Sequence, residues 1–180
     1  IEGGYPLQLD REGIVIPGDF SSAAFFIVGA LIVEGSEIVI NNVGVNPTRT
    51  GLLDVLEKMG ADIKMIPNDK KDFCEPVADI TVRFSALKGA GVIEGALVPR
   101  MIDEFPIFCI AAAAAEGETI IRGAKELRVK ESDRITTMVK ALSVIGVDAE
   151  ELPDGIKITG KKEWKTQGRR EDGKCDTQND

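Results

Sequence analysis

The architecture of this chain follows from residues 103–122, which read DEFPIFCIAAAAAEGETIIR. The apolar run over residues 105–115 predicts a buried helix that Asp103 opens and Gly117 ends. Residues 118–122 then predict a strand. Because a helix that is apolar on all sides has to be covered, this passage indicates a two-layer α/β arrangement in which sheet shields helix.

The same order of elements occurs twice. The first copy comprises a helix over residues 23–33 that Asp19 opens, a strand at 36–40, a helix at 50–59 and a strand at 62–66; the second comprises 103–115, 118–122, 131–145 and 148–152. Strands at 14–16, 78–84 and 155–159 complete two β-α-β-α-β-β units, expected at about 12–84 and 88–160 within a domain over 12–160. Gly35 aligns with Gly117 and Gly60 with Gly146. The segment between the two glycines, which includes the connection before the second helix, is therefore four residues longer in the second copy.

Composition excludes several classes of function. The formal net charge of −8 argues against a general nucleic-acid surface, and no apolar run approaches the roughly 18 residues of a membrane helix. The chain has no histidine, which removes Ser-His and Cys-His catalysis and the usual transition-metal sites. Its three cysteines have no metal-type spacing and Cys109 lies in the apolar helix, so a reducing compartment is favoured.

Charged residues cluster in the longer connection of the second copy. Residues 128–134 read RVKESDR and come directly before apolar residues at helical spacing. A helix N-terminus carries about half a positive charge and unpaired N–H groups, so Lys130 and Arg134 could hold an anion there. In the alternative interpretation, Ser132 or Asp133 caps the helix and the other charges are solvated.

Comparison of the two copies separates these residues further. Asp103 corresponds roughly to Asp19, so the first role expected of it is a structural one, that of a helix N-cap. Glu131 belongs to a helix start that carries a carboxylate and two cations in the second copy only. Because successive crossovers place helix N-termini at one edge, Asp103 and Glu131 are expected to face one cleft as proton donor and acceptor. A structural ion-pair network is the competing explanation.

Four motifs bear on the family: PGDFSSA at residues 17–23, NPTRTG at 46–51, MIDEFP at 101–106 and LRVKESDR at 127–134. In combination they resemble the 5-enolpyruvylshikimate-3-phosphate synthase family. The resemblance runs from about residue 14 to 159, and residues 177–180 look like the start of that family's Asn-Asp-His-Arg motif. The family fold has two globular domains, each of three β-α-β-α-β-β units. This chain would supply most of the domain that carries the C-terminus.

The resemblance implies transfer of the enolpyruvyl group of phosphoenolpyruvate to the 5-hydroxyl of shikimate 3-phosphate, with release of phosphate. It implies that Asp103 accepts a proton and touches shikimate 3-phosphate, and that Glu131 handles the carbon-bound proton. Lys130 would contact the substrates, Arg134 would grip phosphoenolpyruvate, and Asp180 would be a further substrate-binding residue. No metal or other cofactor is implied, and no nucleic acid or membrane partner. A cytoplasmic monomer is expected, or a plastid protein if the source is a plant.

The flanking residues give expectations of their own. Residues 1–11 are expected to be a loosely held lead-in, and residues 161–180 a polar, mobile connection. The family's other domain, its N-terminal lysine and its C-terminal arginine and lysine have no counterpart here, so the chain alone is expected to be inactive. Two alternatives stay open: a UDP-N-acetylglucosamine enolpyruvyl transferase, whose cysteine-bearing loop is not found, and a non-catalytic α/β binding module in which Asp103 and Glu131 are helix caps.

Overall fold

The computed structural model describes residues 15–68 and 75–161, together with Gly4. Apart from Gly4, the predicted lead-in at residues 1–11 lies outside the described residues, as does nearly all of the predicted connection after residue 160. The first unit contains α1 (Phe20–Ile32), β1 (Glu37–Gly44), α2 (Gly51–Lys58), β2 (Asp62–Pro67) and β3 (Val77–Arg83). The second contains β4 (Gly91–Ile93), α3 (Phe105–Ala114), β5 (Gly117–Ile121), α4 (Arg134–Val144), β6 (Asp148–Leu152) and β7 (Gly155–Gly160), with short 3₁₀ turns at Gly95–Leu97, Pro99–Met101 and Lys125–Arg128.

The strand order confirms the predicted repeat. The first sheet has the order β1-β3-β2, and the second has β5-β7-β6 with β4 added beside β5. In each unit the last strand lies in the middle and pairs antiparallel with both neighbours. The aligned glycines Gly35, Gly60, Gly117 and Gly146 all have positive φ, a conformation that side chains with a Cβ rarely adopt. The repeat therefore extends to the backbone turns that end its elements.

The first strand of each unit differs from the prediction. β4, which the sequence did not predict, pairs in parallel with β5. In the first unit Ile14 lies outside the described residues, Val15 forms a β-bridge, and Ile16 belongs to no strand. The described residues therefore do not show a continuous strand at 14–16, and the parallel contact equivalent to that of β4 with β5 is a single bridge between Gly18 and Val43. Pro17 explains the difference, because proline has no N–H to donate to a ladder.

The apolar helix that indicated the fold is buried as predicted. Phe108 and Cys109 of α3 are inaccessible to solvent, and α3 packs against α1 on one side and β7 on another. Burial raises the pKa of the Cys109 thiol far above its ordinary value, so the thiol is inert. Cys74 and Cys175 lie outside the described residues. None of the helices within 15–68 and 75–161 is long and apolar enough to cross a membrane.

Candidate active site

Helix starts from both units bring charged side chains together. Asp103, in the turn before α3, lies between two guanidinium groups: its Oδ2 is 3.2 Å from Arg49 Nη2, and its Oδ1 is 4.0 Å from Arg134 Nη1. Arg134 also contacts Glu131, with 3.0 Å between Nη2 and Oε2. Asp103 and Glu131, predicted to face one cleft, are thus joined through Arg134.

Asp103 is not a helix cap. α3 begins at Phe105, Glu104 holds the cap position, and no cap side chain binds a helix N–H there. Asp19 does cap α1, because its Oδ2 accepts a hydrogen bond from Ser22 N at 2.7 Å. The prediction that the two aspartates are equivalent is therefore wrong. Pro106 gives the reason, since it occupies the second helical position and lacks the N–H that a cap would bind.

The start of α4 also lies later than predicted. The helix begins at Arg134, not at residue 131, so Lys130 and Glu131 lie in the preceding loop rather than in a helical turn. Asp133 is the cap: its Oδ1 accepts a hydrogen bond from Thr136 N at 3.0 Å, which lowers the pKa of its carboxyl. Of the two caps considered from the sequence, Asp133 is the correct one and Ser132 is not.

Arg128 belongs to a structural network. Its guanidinium donates to the carbonyl oxygens of Pro153 and Leu152 in the β6–β7 hairpin at 2.9 and 2.5 Å. It also contacts Asp133 at 2.9 Å and Glu151 at 2.8 Å, and the hydrogen bond to Glu151 raises its pKa. The charged stretch therefore divides in two. One part ties the loop to the hairpin, and the other, with Lys130, Glu131 and Arg134, faces Asp103.

The remaining cation of the cluster is Lys130. Its Nζ lies 2.7 Å from Glu126 Oε1. That hydrogen bond raises the pKa of Lys130, and the negative charge of Asp103 adds to the effect. The sequence comparison did not identify Glu126 as part of the cluster, although its spacing of four residues from Lys130 is a usual ion-pair spacing.

Glu131 rests as a carboxylate. Its side chain is 83% exposed, and the hydrogen bond from its own backbone N–H, followed by the contact with Arg134, lowers its pKa. Asp103 is 45% exposed. Asp103, Glu126 and Glu131, with three cations, thus line a surface open to water. Such a cluster can hold an anion and exchange protons with it, but it needs a covering wall to exclude solvent.

Besides Glu126, two further residues of this cluster, Arg49 and Glu104, were missed by the motif comparison. Arg49 comes from the first unit, two residues before α2 begins, and Glu104 follows Asp103 directly. One feature of the sequence could have identified Arg49. It stands just before a helix of the first copy, as the oppositely charged Glu131 stands just before the equivalent helix of the second copy. Asp180, predicted to bind substrate, lies outside the described residues. Within the described parts of the chain, no group of three or more Asp, Glu or Cys side chains is placed to hold a metal ion.

A cavity elsewhere on the molecule does not fit this chemistry. It lies at the C-terminal ends of α1 and α3 and is lined mostly by apolar side chains, with Glu34 and Glu116 as its charged residues. An anionic substrate would be repelled there, since both carboxylates and both helix ends are negative. We therefore assign the candidate site to the charged cluster, not to the cavity.

The helix caps should make the fold sensitive to acid. Hydrogen bonds from Ser22 lower the pKa of Asp19 below its ordinary value of 3.8, and the bond from Thr136 does the same for Asp133. Their stabilising contribution is complete above the unfolded-state value and is lost as the pH falls through the lowered, folded-state value. Urea denaturation at pH 7 and near pH 3 should show this loss, and Asp19→Asn should reduce it.

The control for this experiment is Asp148→Asn, at the exposed start of a strand. It should leave the difference between the two pH values unchanged. An equal reduction in both variants would contradict a specific role for the caps.

Comparisons with known proteins give a consistent relationship. The family model described as EPSP synthase (3-phosphoshikimate 1-carboxyvinyltransferase) matches residues 1–180. A 3-phosphoshikimate 1-carboxyvinyltransferase from Alkalilimnicola ehrlichii is 55% identical over 164 residues, which cover 91% of this chain and 36% of the relative. One from Desulforudis audaxviator is 54% identical over 173 residues, which cover 96% of this chain and 38% of the relative.

Solved structures agree with the sequence relatives. An EPSP synthase structure from Acinetobacter baumannii superposes with a TM-score of 0.79 at 50% identity, covering 83% of this chain and 34% of that one. The enolpyruvyl transferase NikO from Streptomyces tendae has a TM-score of 0.57 at 14% identity, which bears on the fold alone. The chain spans about a third of the length of the curated relatives it matches. The relatives named here are described as 3-phosphoshikimate enzymes and not as UDP-N-acetylglucosamine enolpyruvyl transferases.

Proposed function

Because this chain belongs to the EPSP synthase family, we propose that in the whole protein it helps transfer the enolpyruvyl group of phosphoenolpyruvate to the 5-hydroxyl of shikimate 3-phosphate, releasing phosphate. The observation that carries this proposal is the position of Asp103 between Arg49 and Arg134, with Glu131 on the far side of Arg134. Anionic substrates need cations around them, and the reaction needs two sites of proton transfer.

The proton movements can be assigned to the two carboxylates. As the 5-hydroxyl oxygen bonds to the central carbon of phosphoenolpyruvate, the hydroxyl loses a proton and the methylene carbon gains one. The tetrahedral adduct then loses a proton from the same carbon as the C–O bond to phosphate breaks. We assign the hydroxyl proton to Asp103 and the carbon-bound proton to Glu131. Both groups lie at one cluster, so one bound substrate pair could reach both.

Glu131 needs a change of surroundings to act as an acid. In the open arrangement its pKa is lowered, by the bond from its own backbone N–H and by Arg134, so it holds no proton at neutral pH. A bound phosphate and the exclusion of water would both favour the protonated form. Closure of a covering wall is thus part of the chemistry as well as of binding.

The cations supply binding. Arg134 and Lys130 are mostly shielded from solvent, and each already contacts a carboxylate that keeps its side chain in place. We propose that Arg134 holds phosphoenolpyruvate, that Lys130 contacts both substrates, and that Asp180 is a further binding residue. We also propose a cytoplasmic monomer whose partners are these small molecules, without nucleic acid, membrane or cofactor.

A segment exchange tests the proposal. The matching third of the Alkalilimnicola ehrlichii relative is replaced by this chain, and phosphate release is measured with phosphoenolpyruvate and shikimate 3-phosphate together and singly. We expect release that requires both substrates, with the enolpyruvyl ether identified by mass spectrometry. A hybrid that folds as cooperatively as the parent relative but binds neither substrate would overturn the proposal.

The 180-residue chain by itself should behave differently. We expect it to release no phosphate and to bind phosphoenolpyruvate only weakly, with a dissociation constant near millimolar, about 4 kcal/mol. The reason is that Lys130 and Arg134 are already paired with carboxylates, and the exposed carboxylates Glu131 (83%) and Asp103 (45%) would repel an anionic ligand. Calorimetric titration together with a phosphate-release assay measures both quantities. Micromolar binding by the chain alone would show that the site is complete without a covering wall.

A further inference from the structure

We propose that Arg49 and Glu104 form a positioning pair for Asp103: Arg49 holds the Asp103 carboxylate in place, and buried Glu104 balances the charge of Arg49. This inference rests on the proposed function, in which Asp103 accepts a proton. It adds two residues that touch no substrate in that scheme and that act through Asp103.

The contacts of Arg49 define the pair. Its Nη2 lies 3.2 Å from Asp103 Oδ2 and 3.5 Å from Glu104 Oε1, and it donates a hydrogen bond to Ser21 Oγ at 3.1 Å. Ser21 in turn donates to Glu104 Oε1 at 2.5 Å. One nitrogen is thus shared by two carboxylates and a hydroxyl. Nη2 carries two N–H donors, so the three acceptors divide them.

Glu104 has features that a surface charge or a helix cap would not have. Its side chain is 1% exposed, and within the described residues its Oε2 has no hydrogen-bond partner. It occupies the cap position of α3 without binding any helix N–H. Burying a carboxylate with an unpaired oxygen costs free energy. What Glu104 gains at this position is the pairing of its other oxygen with Arg49.

The charges around Asp103 explain why such a balance matters. Asp103 faces Arg49 from the loop before α2, Arg134 from α4 and Lys130 from the loop before α4, with Glu104 behind Arg49. A cation without a counter-charge would favour the ionised aspartate and weaken it as a proton acceptor. With Glu104 present, the pair that Arg49 and Glu104 form beside Asp103 has almost no net charge. When Asp103 takes up a proton, Arg49 keeps a partner and need not move.

The decisive measurement is the titration of the Asp103 carboxyl carbon by ¹³C NMR in the 180-residue chain, assigned with Asp103→Asn. Arg49→Gln removes a cation and should move the titration midpoint to higher pH. Glu104→Gln removes an anion and should move it to lower pH. Each shift should be about half a unit or more, at the low end for charges within 4–6 Å because Asp103 and Arg49 are half exposed. This readout does not depend on activity.

Activity in the segment-exchanged enzyme gives the second readout. The acid limb of the kcat/KM profile should move up in pH for Arg49→Gln and down for Glu104→Gln, and kcat should fall by about tenfold in both from misplacement of Asp103. Arg49→Lys, which restores the charge on a shorter side chain that places its nitrogen elsewhere, should return the limb to its original pH and leave kcat reduced. The matched control is Arg83→Gln: Arg83 is 49% exposed and bridges Glu37 and Asp62 on the first sheet.

The outcomes separate the two proposals. Midpoint shifts of opposite sign in the chain support the pair even if the hybrid enzyme is inactive, a result that would count only against the proposed function. Shifts of the same sign, or none, in variants that unfold at the same urea concentration as Arg83→Gln would show a purely structural network between the two units and overturn the inference.

Discussion

Replacing Glu131 by glutamine should lower kcat of the segment-exchanged enzyme by about 10²-fold or more, the loss expected when a general acid–base group is removed. Glutamine keeps the size of the side chain and can still meet Arg134, which contacts the carboxylate at 3.0 Å. KM for phosphoenolpyruvate should therefore change far less than kcat. Steady-state phosphate release across substrate concentrations, with the deuterium exchange of the phosphoenolpyruvate methylene followed by NMR, measures the loss at the step assigned to Glu131.

The control for this prediction is Glu118→Gln. Glu118 also forms an ion pair, with 2.5 Å between its Oε2 and Lys157 Nζ, but it lies on β5 and not in the cluster. Its replacement should leave kcat unchanged. Near-normal turnover and methylene exchange in Glu131→Gln would reduce Glu131 to a partner that orients Arg134.

Replacing Gly160 by alanine should destabilise the chain by about 1–3 kcal/mol or more, the range for overpacking a filled core. A Cβ at this position would lie 2.1 Å from the carbonyl oxygen of Ala115 and 2.3 Å from that of Ala112, so backbone at the end of α3 would have to move. Urea denaturation of the 180-residue chain gives the free energy of unfolding directly.

The same substitution at Gly29 is the matched control. Gly29 lies inside α1, and a Cβ there would meet no atom within 4 Å. Because alanine favours the helix by up to about 1 kcal/mol over glycine, Gly29→Ala should leave stability unchanged or raise it. Equal effects at the two glycines would mean that β7 can shift away from α3 at little cost.

These two predictions depend on different kinds of information. The motif RVKESDR is enough to single out Glu131, whereas nothing in the sequence distinguishes Gly160 from Gly29 as a glycine that cannot be replaced. The requirement at Gly160 comes from the carbonyl groups at the end of a helix that is distant in sequence. Close packing of that kind is set by three-dimensional distance and has no local sequence signal.

The charged stretch shows the same division within seven residues. Its composition indicated an anion site and its spacing indicated a helix start. Which charges serve which purpose was decided by the β6–β7 hairpin, whose carbonyl groups bind Arg128 and remove it from the site. The helix start was placed three residues too early, because capping by Asp133 depends on backbone geometry and not on residue type alone.

The sequence by itself determined the repeated α-β-α-β-β order, the buried apolar helices, the family, and the side chains Asp103, Lys130, Glu131 and Arg134 as candidates for chemistry. Periodicity and motif are local properties, so they can be read along the chain. The tertiary structure alone decided that Asp103 is an ion-paired group and not a cap, and that Arg49 of the first unit and buried Glu104 stand beside it. The contacts of Arg49 with Asp103 and Glu104 join residues more than fifty positions apart, and only the packing of one unit against the other brings their charges within reach of each other.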